Sequence, residues 1–152
     1  MNVQQKNKQE GFTIIEVVLV LAIAGLIFLM VFIALPALQR SQRDTQRKQD
    51  LSRALTKVTD FQSNNRGSLP NNWDTFATQY LRVGGDTFTD PNGTEYHFDP
   101  DGNPPATFSG DGTVYVTERA TCDGESLKTG QGANKVALRL KLEGGGVACE
   151  SN

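Results

Sequence analysis

From Val17 to Leu38 the chain runs 22 residues without a single charge, and most of them are apolar. No feature constrains the fold more. About 20 consecutive apolar residues cross the hydrocarbon core of a bilayer as a helix, and at about 1.5 Å per residue this run reaches about 33 Å. A secretory signal has a shorter apolar stretch followed by a small-x-small cleavage site. Here the run is followed by LPALQRSQRDTQRKQD, which has no such site, so the segment is expected to stay with the mature protein. One carboxylate, Glu16, stands at its front edge, directly after Gly11-Phe12-Thr13-Ile14-Ile15.

The helical pattern continues past the apolar run. Good helix formers dominate from Gln39, and Leu51, Leu55, Val58 and Phe61 or Gln62 recur at helical spacing. Asn64-Asn65-Arg66-Gly67 supplies a stop, with Pro70 shortly beyond. One helix from about Thr13 to Ser63 is predicted, greasy all round in its first half and amphipathic in its second. Gly25 and Pro36 are its weak points. Glycine adds backbone freedom, and proline removes a donor and crowds the preceding turn. A bend near Pro36, or a stretch between the two that can lose helical hydrogen bonds, is expected.

After Pro70 the pattern shortens. NNWDTFATQYL suggests a short helix whose Trp73, Phe76 and Tyr80 belong to a core. Asp90-Pro91-Asn92-Gly93 reads as a turn feeding a strand. Val114 and Val116 alternate with Tyr115 and Thr117. In NKVALRLKLE, Val136, Leu138, Leu140 and Leu142 share one strand face while Ala137, Arg139 and Lys141 share the other, before Gly144-Gly145-Gly146 ends the run. An α+β layer follows: a long N-terminal helix whose second half packs on a small, one-sided antiparallel sheet.

Composition excludes several function classes. The net charge is −2, which makes the whole chain no general polyanion binder. Arg40, Arg43, Arg47, Lys48, Arg53 and Lys57 form a basic helix stretch, read as a solvated face with local ion pairs rather than a lipid or nucleic-acid site. Binding of nucleic acid is possible from that stretch but not indicated. No Ser/His/Asp or Cys/His grouping and no phosphate-binding glycine loop is present, so no catalytic residue, no cofactor and no enzymatic activity is assigned. The two cysteines, Cys122 and Cys149, favour a disulfide in an exported chain; metal binding is disfavoured by one histidine, His97, and no C-x-x-C pair. His97 is assigned to structural packing. Asp99-Pro100-Asp101-Gly102-Asn103 echoes a calcium loop, but Pro104 stands where the EF-hand glycine belongs and no glutamate follows, so it reads as a turn.

The front end resembles the type IV pilin and pseudopilin family. The matching features are a short basic leader with Lys6 and Lys8, then Gly11, Phe12-Thr13-Ile14-Ile15-Glu16, and an apolar run containing Gly25. The resemblance implies that a prepilin peptidase cuts between Gly11 and Phe12 and methylates the new amine on Phe12. Of the 152 residues it would leave 141, and the loss of Lys6, Lys8 and Glu10 takes the charge to −3. The family's proline commonly falls where this chain has Ile33, whereas here it is Pro36. Basic residues alone, with Arg40, Arg43, Arg47 and Lys48 beyond the run, favour the opposite membrane orientation; the cleavage motif is given precedence.

The organisation expected is a leader over residues 1–11, a transmembrane and filament-core helix over 12–38, an amphipathic continuation over 39–63 and a β-rich pilin head over 64–152. The implied function is a structural subunit of a type IV pilus filament, with the cytoplasmic membrane as its first location and the cell surface as its last. Its implied partners are copies of itself, prepilin peptidase, an assembly ATPase and a platform protein. The alternatives are a pseudopilin of type II secretion or DNA uptake, and a single-pass membrane-anchored domain that does not polymerise. Glu16 has a physical role in this scheme. A carboxylate near hydrocarbon is costly, and the amine created on Phe12 lies four residues away on the same helix face. Glu16 of one subunit pairing with the amine of a neighbour would offset that cost and fix the axial register.

Overall fold

The computed structural model describes residues 11–100 and 102–152. Lys6, Lys8 and the rest of the leader before Gly11, together with Asp101 of the calcium-like stretch, lie outside the described residues. Contacts divide the chain into two compact units, one ending at Leu38 and the other spanning Gln39–Asn152. Helix α1, Ile14–Asn64, contributes to both, and it is uninterrupted through Gly25 and Pro36.

In the first unit nothing among the described residues covers the apolar side chains of α1. Eighteen large ones, from Ile14 to Leu38, are exposed, as is Phe12 just ahead of the helix. The helix contains a stretch of mean hydropathy 3.2, none of it buried, long and apolar enough to cross a membrane. At about 1.5–3 kcal/mol for each fully buried large side chain, covering this surface is worth on the order of tens of kcal/mol.

The second unit folds around the other part of α1. Arg47, Leu51, Ala54, Val58 and Gln62 are buried at steps of four, three, four and four, the stripe a helix presents to a core. Leu55 and Phe61 flank it, half-buried. The helix stops because Arg66 turns left-handed at φ 55°, followed by Gly67 at φ 84°, and the Gly67 N–H donates to Gln62 O at 2.7 Å. Helix α2, Trp73–Phe76, is capped by Asn72, whose Oδ1 accepts from Thr75 N at 2.8 Å, and it runs into a π-helical turn over Ala77–Leu81. Trp73 and Phe76 are buried and Tyr80 packs against them, as the spacing predicts. Phe98 stacks on Trp73 at 5.8 Å between ring centroids.

Six strands follow: β1 (His97–Asp99), β2 (Thr113–Glu118), β3 (Ala120–Asp123), β4 (Ser126–Thr129), β5 (Val136–Lys141) and β6 (Val147–Ser151). The main sheet has the order β1-β2-β5-β6, with β1 parallel to β2 and the other pairs antiparallel. Strands β3 and β4 form a separate hairpin. The α+β class stands, with a helix on a largely antiparallel sheet.

Two expectations are corrected. The sheet is not one-sided at its centre: Val136, Ala137, Leu138, Arg139 and Leu140 of β5 are all buried. Strand β3 of the hairpin contacts both β5 and β6, so the face carrying Ala137 and Arg139 is covered as well. His97 is not a packing residue. Its side chain is 63% exposed, with Nδ1 3.4 Å from Asp74 Oδ1, because it points away from the core on the short strand where Phe98 points in.

Candidate functional site

The two halves of the cleavage motif have different local structures. Gly11, Phe12 and Thr13 are non-helical and exposed, and α1 begins at Ile14. The peptide between Gly11 and Phe12 therefore lies in exposed, non-helical chain ahead of the helix. Its start is set by a reciprocal cap. The Thr13 N–H donates to Glu16 Oε2 at 2.8 Å, the Thr13 hydroxyl donates to the same oxygen at 2.7 Å, and Glu16 N donates back to Thr13 Oγ1 at 3.4 Å. This is the Thr-x-x-Glu capping box, which satisfies amide donors that the first turn of a helix leaves open. In an apolar medium an unsatisfied donor is especially costly.

The cap was missed in the sequence, although Thr13-Ile14-Ile15-Glu16 spells its signature. Glu16 is thus paired within its own chain, and Phe12, 90% exposed, borders the same open depression as Glu16, Val17, Val20 and Leu21. Phe12 stands ahead of α1, so it occupies no helix face with Glu16, although both border that depression. Gly25 has open space where a side chain would project, so nothing within the single chain demands a glycine there.

The basic stretch of the second unit resolves into specific pairs. Arg43 forks onto Glu143, Nε to Oε2 at 2.8 Å and Nη2 to Oε1 at 2.6 Å. Arg47 is wholly buried. It reaches Asp90 through Nε at 2.6 Å and Nη2 at 2.9 Å, and Asp44 and Glu143 through Nη1 at 2.9 and 3.4 Å. Phe108 closes over its guanidinium at 4.6 Å. Asp44 also accepts from the amides of Glu143 and Gly144, at 2.9 and 2.8 Å, which ties the turn between β5 and β6 to α1. Hydrogen bonds from Arg43, against a smaller opposing effect of burial, hold the Glu143 carboxyl down at about 2. Burial works against the Arg47 charge, but the hydrogen bonds it donates to Asp90 and Asp44 outweigh it and raise its pKa. Sequence spacing could expose only the Asp44 pair, because Asp90 and Glu143 lie 43 and 96 residues away. The stretch is more buried and more fully paired than the solvated face expected for it; Arg40 keeps a side chain 60% exposed.

Asp90-Pro91-Asn92-Gly93 is a turn, with Gly93 N donating to Asp90 O at 2.8 Å and Asn92 N to Asp90 Oδ1 at 3.0 Å. Its carboxylate is committed to Arg47. Cys122 and Cys149 form a disulfide that fastens β3 to β6.

The profile described as the prokaryotic N-terminal methylation motif matches residues 6–32. The chain carries the N-terminal motif of type IV pilins and pseudopilins. Members of this family are structural subunits, and the prepilin leader implies processing by prepilin peptidase and handling by pilus assembly machinery in general. The match ends within the apolar run of this prepilin-like chain, ahead of the head. No curated protein and no solved structure gives a match.

Proposed function

We propose that this chain is a structural subunit of a type IV pilus filament. Its leader, residues 1–11, is removed between Gly11 and Phe12, and Phe12 receives the methyl group. Residues 12–38 hold the subunit in the cytoplasmic membrane and then form the filament core. Residues 39–63 continue that helix into the head, residues 64–152, which forms the exterior of a cell-surface fibre. The observation that carries this reading is the uncovered apolar surface of α1, from Ile14 to Leu38. Nothing among the described residues covers it, and its exposure to water is unfavourable, so lipid or other copies of the helix take that place.

Glu16 acts in assembly. Cleavage frees an amine that is cationic near neutral pH, and methylation preserves the charge. A neighbour's amine reaching Glu16 competes with the Thr13 cap, and a neighbour out of register leaves a charge unpaired in hydrocarbon. Gly25 and Pro36 give the helix local freedom to adjust between bilayer and bundle. An assembly ATPase and a platform protein extract the subunit.

Replacement of Glu16 by alanine tests the scheme. The variant is expected to lose its leader and to insert into the membrane but to yield no filaments sheared from cells. Normal filaments from Glu16→Ala would refute the register role. Filament length separates a pilus from a short pseudopilus.

A further inference from the structure

Arg139 is the fourth residue of β5, and strand register sets it between Tyr115 of β2 and Cys149 of β6. The alternation of the sequence assigned it to a solvated face, yet it is only 9% exposed. Its Nη2 donates to Asn103 Oδ1 at 2.8 Å and to Thr117 Oγ1 at 3.2 Å, and both partners are neutral. Among the described residues no carboxylate forms an ion pair with it. Its Nε is buried without an acceptor.

The contrast with Arg47 is informative. That guanidinium is also buried, but it faces Asp90, Asp44 and Glu143. Burial alone lowers the Arg139 pKa, with no acid acting against it, whereas the acids around Arg47 raise that one. A desolvated cation whose partners among the described residues are neutral is an expensive arrangement, and it becomes a favourable one when an anion reaches it. Guanidinium offers a planar fork of donors that matches carboxylate and phosphate oxygens. Asn103 and Thr117 each use an oxygen to accept from Nη2, which leaves the Asn103 amide hydrogens and the Thr117 hydroxyl hydrogen as further donors beside the charge.

We propose that Arg139, Asn103 and Thr117 form a binding site for a small oxyanion of the carboxylate or phosphate class, taken from solution. The small residual exposure of Arg139 restricts entry to a compact ligand and shields the bound charge from solvent. The Asn103 side chain, on the segment between β1 and β2, supplies the contact that reaches Arg139 from outside the sheet.

The test uses inorganic phosphate on the full chain in detergent micelles, read as the thermal unfolding midpoint, with sodium chloride at matched ionic strength as the reference. Wild type is expected to show a saturable rise with phosphate beyond the chloride response, and Arg139→Met to show none. Asn103→Ala is expected to weaken the apparent affinity by about tenfold, the loss of one charge-assisted hydrogen bond. Identical responses of wild type and Arg139→Met, or a wild-type response no larger than that to chloride, would overturn the site. If Arg139→Met does not fold, Asn103→Ala and the phosphorus-31 linewidth of phosphate mixed with wild type decide. Linewidths unchanged from buffer, or an unaltered affinity in Asn103→Ala, count against it. A site filled instead by an acidic side chain of a second copy gives no phosphate response in dispersed chains, and that result also overturns the proposal.

Discussion

Replacing Asp90 by asparagine isolates the charge on which the most deeply buried ion pair among the described residues depends. The substitution keeps the shape of the side chain and the oxygen that accepts from Asn92 N at 3.0 Å. What disappears is the counter-charge to Arg47, whose side chain is 0% exposed against 2% for Asp90. Removing one partner of a buried pair costs about 3–5 kcal/mol, chiefly because the other charge stays desolvated. Asp44 at 2.9 Å and Glu143 at 3.4 Å still face Arg47 Nη1, so the low end of that range applies, about 3 kcal/mol. In a head of this size that corresponds to a fall on the order of 10 °C in the unfolding midpoint. Urea denaturation followed by Trp73 fluorescence, in the full chain held in detergent, measures it. The partner variant Arg47→Met and the double variant complete a cycle, and a coupling of about 1.5 kcal/mol or more is expected between the sites. A loss below about 1 kcal/mol in Asp90→Asn, with additive single variants, would refute the claim that this pair organises the junction of α1 and the sheet.

Three further outcomes follow from the head. Glu143 has its folded pKa depressed to about 2, so its contribution to stability is full above its unfolded value of about 4.3 and is lost as pH falls through about 2; Glu143→Gln should flatten the acid limb of a stability–pH curve in that window. The disulfide closes a separation of 27 residues, and the chain-entropy model assigns it roughly 3–4 kcal/mol, so Cys122→Ser/Cys149→Ser should lower the urea midpoint accordingly. Asn152 bonds Gln62 Oε1 at 2.8 Å, Asn134 O at 3.0 Å and, through Oδ1, Val136 N at 2.9 Å; Asn152→Ala should cost about 1–3 kcal/mol and speed amide exchange at Val136.

Where one periodicity dominated, the fold was legible. The stripe through Leu51 and Val58, the alternation of Val114 and Val116, and the aromatic spacing of Trp73, Phe76 and Tyr80 each follow from a single element meeting a single core. What escaped depends on a second layer. Nothing local in Thr121-Cys122-Asp123-Gly124-Glu125 or in Val147-Ala148-Cys149 alternates strongly enough to announce β3, β4 or β6, and the parallel pairing of β1 is set by a crossover rather than a turn. Without that layer Arg139 reads as solvent-facing; with it, the residue is buried. Likewise Arg47 looks like one more surface cation until Asp90 and Glu143 arrive from distant sequence. At the front end the leader motif and apolar run are plain in the sequence, and the Thr-x-x-Glu spacing of the Thr13 cap on Glu16 is written there too.

The central claim is that a helix trimmed at Gly11 exchanges lipid for copies of itself. Mass spectrometry of filaments sheared from the native cells tests it most directly. The account predicts a 141-residue chain beginning at Phe12 and carrying one extra methyl group on its amine. A chain still starting at Met1, or a trimmed chain found only as a solitary membrane protein with no sheared filaments, would contradict it.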